Sequence, residues 1–410
     1  MGQQGAIKSP SYSEVPLNES KISSDRIANL RKLAVLMNTR HKIPFPVSEE
    51  LLSCFDVALT PDETAFLLKL GTEPYTFEKA ASLSSLPENQ FRDFFKGLLK
   101  KGFIWEHESQ DGREWYVLPG MMMGWFEVFL AGGDETPDRK EFSRRMDALL
   151  ASFGKMNTFP ARIIFNYRVQ HSGPHQSILA PGSLPERNQG RTIAVNKTIN
   201  SVPTNVYPAR TVEELIEKHG DSQSIAVVHC FCRQFHKMIN EPCHFNHPSE
   251  SCIAIGSLSR YAVKHEMARF LSKSEAVSLI RELQAKGAVH QVFHQGEDVN
   301  NPEIAICNCC WDCCGVLGSY NRGILPLNLH CHFEAQIPDV SLCSGCATCE
   351  EYCPVQAVSI ENDKCRITSK KCIGCGQCEV HCPGNAIHLI AKERTVFLPL
   401  KPKSEARIKH

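Results

Sequence analysis

The chain has 410 residues, too many for one compact core, and at about 150 residues per domain it predicts two to four domains. It carries 45 Lys and Arg against 45 Asp and Glu, so no overall field attracts it to nucleic acid or to an anionic membrane. The longest apolar run, near residues 121–131, is interrupted by Gly124 and Glu127 and falls short of the roughly 20 residues of a membrane span.

The amino terminus has neither the basic end nor the apolar stretch of a signal peptide, and Ala6 does not fit a myristoylation motif. We therefore expect a cytoplasmic protein. Of the 20 cysteines, 19 lie after residue 229, grouped at C-x-C and C-x-x-C spacing. In a long chain without an export signal this grouping indicates metal ligands rather than disulfides.

Residues 1–24 are polar and serine-rich, and they predict a flexible lead-in. Residues 25–120 predict three helices and a hairpin. Thr60 to Glu63 is a capping box that starts the first helix, and the second helix lies near residues 76–83. Pro87 opens the third, which carries an apolar stripe of Phe91, Phe94, Phe95, Leu98 and Leu99.

Strands at 103–108 and 114–118 complete an order of elements that resembles a winged helix-turn-helix domain. That fold usually binds DNA through the third helix and the wing. Charge argues otherwise, since residues 25–118 hold 12 Lys and Arg against 14 Asp and Glu and the wing itself is acidic. Protein docking or scaffolding is therefore favoured over DNA binding. The exposed contacts to DNA would be Gln90, Arg92, Lys96, Lys100 and Lys101.

Residues 121–200 form a bridge, with predicted helices at 121–130 and 142–153 and an exposed loop at 171–191 that is rich in glycine and proline. Residues 201–334 predict a cysteine-rich α/β domain. Capping boxes at 211–214 and 272–275 predict helix starts, and a strand is expected at 288–294.

Two apolar strands of this middle domain lead into C-x-C pairs, at Cys230 and Cys232 and at Cys307 and Cys309. Residues two apart in a strand face the same side, so each pair could offer two thiolates to one point. The simplest partition places Cys230, Cys232, Cys243 and Cys252 around one cluster. A second site would then use Cys307, Cys309, Cys310, Cys313 and Cys314.

Three interpretations of these nine cysteines stay open: a further iron–sulfur cluster, a zinc site, or redox-active or buried thiols. His244 and His247 follow Cys243 and are candidate zinc ligands, although surface histidines are common in such loops. Asp312 interrupts the cysteine run and leaves the ligand count of that site undecided. No glycine-rich phosphate cradle is found, which disfavours a built-in flavin or nicotinamide site.

The C-terminal cysteines form an internal repeat. The pattern C-x2-C-x2-C-x3-C-P occurs twice, and every cysteine recurs at an offset of 29 residues. Residues 335–392 thereby resemble the dicluster bacterial ferredoxins. The resemblance implies that Cys343, Cys346, Cys349 and Cys382 bind one 4Fe-4S cluster, and that Cys372, Cys375, Cys378 and Cys353 bind the other. Cys365 fits no ligand position and is interpreted as a packed thiol.

As a whole, residues 25–392 resemble multidomain 4Fe-4S binding proteins of anaerobes, on the C-x-C-R segment at 230–233, the I-C-N-C-C segment at 306–310 and the ferredoxin repeat. We expect an α+β, multidomain fold that ends in a basic tail at 393–410, most simply a solvated terminus.

The favoured function is electron transfer, as a protein or oxidoreductase subunit that works with a redox partner. The alternatives are a redox-responsive winged-helix regulator and a reductase with its active site at the middle cluster. For a reductase, the candidate side chains are His229, Arg233 and His236.

Overall fold

The computed structural model describes residues 23–39, 45–108, 113–121, 125–155, 157–171, 205–220, 224–295 and 303–408. The predicted lead-in lies almost entirely outside these residues, as do the tip of the wing and the predicted loop after residue 171. Helices and strands are mixed along the chain, as an α+β fold requires.

The N-terminal part is helical and ends in a hairpin. Thr60 and Glu63 form the predicted reciprocal capping box. Tyr75 forms a bridge to Tyr116 of the hairpin, which ties the start of the fourth helix to the wing. The elements are α1 (Ser24–Asn38), α2 (Glu49–Ala58), α3 (Pro61–Leu70), α4 (Phe77–Ser82), α5 (Glu88–Lys100), β1 (Trp105–Glu108) and β2 (Glu114–Val117).

Three helices follow: α6 (Trp125–Ala131), α7 (Pro137–Lys155) and α8 (Phe159–His171). Helices α1 to α7 enclose one apolar core whose largest fully buried side chains include Trp125 and Phe55, with ring centroids 4.8 Å apart in an edge-to-face arrangement. Among the described residues, no helix combines the length and the hydropathy that a bilayer span requires.

The middle of the chain alternates strands and helices. Its elements are β3 (Asn205–Tyr207), α9 (Ala209–His219), β4 (Ile225–His229), α10 (Phe231–Met238), β5 (Glu250–Ile255), α11 (Ser257–Lys264), β6 (Ala268–Phe270), α12 (Lys273–Ala285), β7 (Val289–Gln295), β8 (Glu303–Cys309), α13 (Leu317–Asn321) and β9 (Leu327–Gln336). Helices α9 and α12 cover one face of the sheet. Ile216 and Ile280 of these helices belong to one buried cluster with Val227 and Ile253 of the strands.

The C-terminal module contributes α14 (Thr348–Tyr352), β10 (Val358–Glu361), β11 (Lys364–Ile367), α15 (Gln377–Val380) and β12 (His388–Leu398). Strand β12 pairs with β9, so the module and the middle domain share one eight-stranded sheet in the order β12-β9-β3-β7-β8-β5-β4-β6. All its pairs are antiparallel except β3 with β9. The predicted boundaries at 334/335 and 392/393 both fall inside strands of this sheet.

Three local predictions were wrong. Helix α9 begins after Pro208 without a side-chain cap, so Thr211 lies inside the helix and not at its start. The pair Cys230 and Cys232 is not in a strand, because the chain turns at Cys230, the N-cap of α10. The tail is not a solvated terminus, since residues 393–398 complete β12 and Lys401 is buried.

Candidate metal centres

The eight cysteines of the repeat line two cavities. The first lies against the eight-stranded sheet and its four cysteines, here called the inner set, are Cys353, Cys372, Cys375 and Cys378. The second lies away from the sheet, and its outer set is Cys343, Cys346, Cys349 and Cys382. Each set combines three cysteines of one repeat with the fourth of the other, which is the grouping that the resemblance implies. That each set binds a cluster stays a prediction.

The two cysteine loops have matching backbone conformations. Gly345 and Gly374 have φ values of 71° and 68°, and Ala347 and Gly376 have φ values of 63° and 83°. A Cβ atom at Gly374 would lie 2.0 Å from the carbonyl oxygen of Phe333 in β9, so only glycine allows the loop to approach the sheet this closely. The duplication in sequence is thus a duplication in structure.

Backbone N–H groups point at the cysteine sulfurs. Ala357 donates to Cys353 Sγ at 3.1 Å, and its repeat partner Ala386 donates to Cys382 Sγ at 3.3 Å. Such bonds stabilise a thiolate and tune the potential of a cluster attached to it. Burial raises the pKa of Cys353, so this side chain stays a protonated thiol unless a metal replaces the proton.

Six cysteines of the middle domain form a six-thiol ring, in which each thiol interacts with two others. The order around the ring is Cys230, Cys232, Cys314, Cys309, Cys307, Cys252 and back to Cys230. The cysteines come from the start of α10, from β5, from β8 and from the turn after β8. Five of them are buried and Cys307 is half-buried.

The ring contains three thiols with lowered pKa values and three with raised ones. Interactions with neighbouring thiols lower the pKa of Cys230 and Cys314, and they lower that of Cys307 to about 6. Interactions with neighbouring sulfurs, together with burial, raise the pKa of Cys232, Cys252 and Cys309. Backbone N–H groups also point at the ring, because Gly315 donates to Cys232 Sγ at 3.1 Å and Val316 to Cys314 Sγ at 3.3 Å. The ring therefore favours negative charge on three of its six sulfurs.

A separate group contains three thiols and a carboxylate. Cys243, Cys310, Cys313 and Asp312 place one ligand atom each within 4.8 Å of one another. The structure thus groups the nine middle cysteines as six and three, whereas the partition by chain order placed Cys243 with Cys230, Cys232 and Cys252. Cys243 lies in a loop, and the chain path there could not be predicted from spacing alone.

Arg233 lies between the ring and this three-thiol group. It is only 4% exposed, and it donates to the carbonyl oxygen of Asn308 at 2.5 Å and to Cys310 Sγ at 3.6 Å. Burial lowers the pKa of this guanidinium, but the interaction with the sulfurs of Cys230 and Cys310 outweighs burial and raises it. A buried arginine requires negative charge nearby, and here cysteine sulfurs supply it.

The other candidate side chains differ in burial and contacts. His236 is buried against Glu241, and His244 is exposed while its backbone N–H donates to Asp312. His247 is buried next to Cys243, so the surface alternative for it is wrong and the zinc-ligand alternative stays a prediction. Cys365 is buried beside the outer set, with its Sγ 3.6 Å from that of Cys349. The ring of His229 packs against Gly133.

The proposed DNA-contacting lysines are paired within the chain. Lys96 and Lys100 of α5 both form ion pairs with Glu266, which follows α11. Lys264 of α11 pairs with Glu106 and Glu114 of the acidic wing. Lys101 binds Glu63. The helix and wing that would face DNA are thus docked on α11.

Sequence reasoning missed two basic residues near the inner set. Arg407 donates to the carbonyl oxygen of Cys353 at 2.8 Å and lies over the ring of Trp311, 3.8 Å from its centroid. Lys401 donates to Gln356. The run of β-branched and apolar residues at 395–398 was the available signal that this segment is a strand.

Comparison with known proteins adds one match. Residues 366–388, which contain Cys372, Cys375, Cys378 and Cys382, match the family model described as a 4Fe-4S binding domain. No curated protein matches the chain, and no solved structure matches it. The C-terminal part of the chain therefore contains a ferredoxin-like iron–sulfur segment.

Proposed function

We propose that this protein transfers low-potential electrons through two 4Fe-4S clusters, held by the inner and outer sets, to or from an iron–sulfur centre in the six-thiol ring. It would act as an electron-transfer protein or as a subunit of an oxidoreductase. The chemistry that a cluster supplies is the gain and loss of single electrons. The residues of this chain supply the ligands, the burial and the hydrogen bonds.

The observation that carries the proposal is one buried apolar cluster that contains cysteines of both the inner set and the ring. Cys309 and Cys314 of the ring belong to the same buried apolar cluster as all four cysteines of the inner set. Val289 and Leu317 lie in that cluster and are almost fully buried. A dry, close-packed connection of this kind suits electron transfer, because it keeps water and protons away from the path.

The exposure of the cysteines indicates at which end of this path a redox partner would bind. Cys346 of the outer set is exposed, whereas Cys353, Cys372, Cys375 and Cys378 of the inner set are buried. A redox partner would therefore exchange electrons at the outer set, and the inner set would relay them to the ring.

The number of thiols in the ring supports a polynuclear centre there. An ordinary 4Fe-4S cluster requires four thiolates, and the ring offers six. The six members of the ring are all cysteines, and an all-sulfur environment favours iron–sulfur clusters over most single ions. The lowered pKa values of Cys230, Cys307 and Cys314 act in the same direction, since thiolates bind iron, whereas at Cys232, Cys252 and Cys309 the metal would have to displace a proton.

The test is iron and sulfide analysis with EPR on the anaerobically purified full chain and three variants. Cys346→Ser, Cys375→Ser and Cys309→Ser change the outer set, the inner set and the ring. We expect the wild type to contain more than about eight irons, and each variant to lose the signal of one centre. Cys331→Ala is the matched control, because Cys331 is fully buried in β9 and belongs to none of the three groups.

A wild-type iron content of about four per chain would contradict the two-cluster proposal. If the wild type contains only about eight irons, the C-terminal variants lose iron, and Cys309→Ser changes neither iron content nor EPR signals, the ring is not an iron–sulfur centre. The protein would then be a ferredoxin-like carrier without a middle acceptor.

A further inference from the structure

We infer that the three-thiol group binds one Zn²⁺ ion, with Cys243, Cys310, Cys313 and Asp312 as its ligands. This site is separate from the clusters of the proposed function, and it would hold a structural ion rather than carry electrons. Its position between two loops suggests what the ion does.

Spacing favours one ion over a cluster. Cys310 Sγ lies 3.3 Å from Cys243 Sγ and 2.8 Å from Cys313 Sγ. Ligands around a tetrahedral zinc with Zn–S bonds of about 2.3 Å are roughly 3.8 Å apart. By contrast, in the described part of the chain neither the inner nor the outer set gathers three sulfurs within 4.8 Å of one another.

The carboxylate of Asp312 is prepared for a fourth bond. Its Oδ2 accepts a hydrogen bond from the backbone N–H of His244 at 2.6 Å. Its Oδ1 has no hydrogen-bond partner among the described residues. This oxygen is also shielded from water, because the residue is only 9% exposed. A buried carboxylate oxygen without a partner is costly, and a metal ion at the adjacent thiols would satisfy it.

The surrounding charges balance such an ion. Three thiolates and a carboxylate around Zn²⁺ carry a net charge of about −2, which burial would penalise. Arg233 donates to Cys310 Sγ at 3.6 Å, and Arg322 donates to the backbone carbonyl oxygen of Asp312. Both guanidinium groups are buried, so the site contains the positive charge that an anionic zinc complex requires.

The donor set selects zinc among common divalent ions. Thiolates are soft ligands and a single carboxylate is hard, a mixture that Zn²⁺ accepts in tetrahedral geometry. Zn²⁺ also binds such sites more tightly than Fe²⁺ does. With four protein ligands no position stays open, as in structural sites. The ion would fasten the irregular segment around Cys243 to the turn at 310–313, beside the ring.

The test is zinc and iron analysis of the anaerobically purified full chain, combined with zinc X-ray absorption. We expect about one zinc per chain, with about three sulfurs at 2.3 Å and one oxygen at 2.0 Å. Cys313→Ser should lose the zinc without changing the iron content. Cys309→Ser in the ring should keep the zinc.

Asp312→Asn tests the fourth ligand and conserves side-chain size. We expect it to weaken zinc binding about tenfold or more, measured by competition with a chelator, and to leave the iron content unchanged. Asp56→Asn is the matched control, the same change at a half-buried aspartate of α2 that pairs with Arg26, and we expect it to leave zinc affinity unchanged. Absence of zinc from the wild type, or loss of iron instead of zinc in Cys313→Ser, would overturn the inference. If the electron-transfer proposal fails, the iron content differs from the expected value while the zinc content stays at about one per chain.

Discussion

Lys401 is a buried cation beside the inner set. Its ammonium group lies 4.5 Å from the ring centroid of Tyr320 and donates to Asn321 Oδ1 at 3.2 Å and to Gln356 Oε1. Burial and the nearby Arg407 lower the pKa of Lys401 to about 8. A positive charge near a cluster stabilises the reduced state, which carries one more negative charge than the oxidised state.

Lys401→Met should therefore lower the midpoint potential of the inner cluster, by an amount on the order of tens of mV. The potential of the wild type should also fall as pH rises through about 8, because the ammonium loses its proton there, and the variant should lack this fall. Redox titration followed by EPR measures both effects. Lys403→Met, an exposed lysine two residues further along, serves as the control. Equal potentials in the two variants would contradict the assignment.

At this scale the grouping of the repeat's cysteines could be predicted from the sequence, whereas their surroundings could not. Eight cysteines at fixed spacing are a local pattern, and the structure groups them as the resemblance implies. Lys401 and Arg407 could not be predicted, because their approach to Cys353 depends on where β12 ends. For the same reason Cys243 was placed with the wrong thiols, since loop paths are set by distant contacts.

Helix α11 connects the N-terminal helices to the sheet. Lys264 binds Glu106 and Glu114 of the hairpin at 2.6 Å each, and His265 Nε2 lies 3.2 Å from Glu106 Oε2. Trp105, Val117 and Met267 pack together beneath these pairs. Although burial raises it, the pKa of Glu106 is held below its ordinary value by hydrogen bonds from His265 and Lys264. The hairpin is therefore an intramolecular docking element.

Glu106→Gln should loosen this contact. We expect the opening free energy of the hairpin to fall by about 1 kcal/mol, so that its amides exchange about fivefold faster. Because the folded-state pKa of Glu106 is lowered, its contribution is present above an ordinary carboxyl pKa of about 4 and is lost as pH falls below it. Hydrogen exchange followed by mass spectrometry measures the change. Glu73→Gln, at an exposed position, should leave exchange unaltered.

Helix starts and apolar stripes were predicted well because the signals are local. The capping boxes at Thr60 and Ser272 are both present, and α5 buries Phe91, Phe95, Leu98 and Leu99 of its predicted stripe. Helices α1 and α2 were not predicted, although Ser48 caps α2. The assignment of these elements to a winged-helix-like domain, and its use in docking rather than in DNA binding, stay predictions.

The continuous sheet joins the predicted middle and C-terminal domains. Strand β9 pairs with β12 over its whole length and with β3 on its other side. Gln377 of α15 is fully buried and donates to the carbonyl oxygen of Ala288 just before β7. Pairings between strands distant in sequence leave no local pattern, so the boundary at 334/335 could not be recognised as the interior of a sheet.

A chain that ends at residue 334 should therefore fail to keep the middle metal centres. It would lose β12, truncate β9 and expose an apolar strand edge, which favours aggregation. We expect size-exclusion chromatography to show aggregates, and iron bound by the ring to be lost. The full chain with Cys375→Ser should stay monodisperse, because only one ligand of the inner set is changed. A monodisperse 1–334 chain with its ring metal intact would show instead that the ferredoxin-like module is an independent domain whose strand merely extends the sheet.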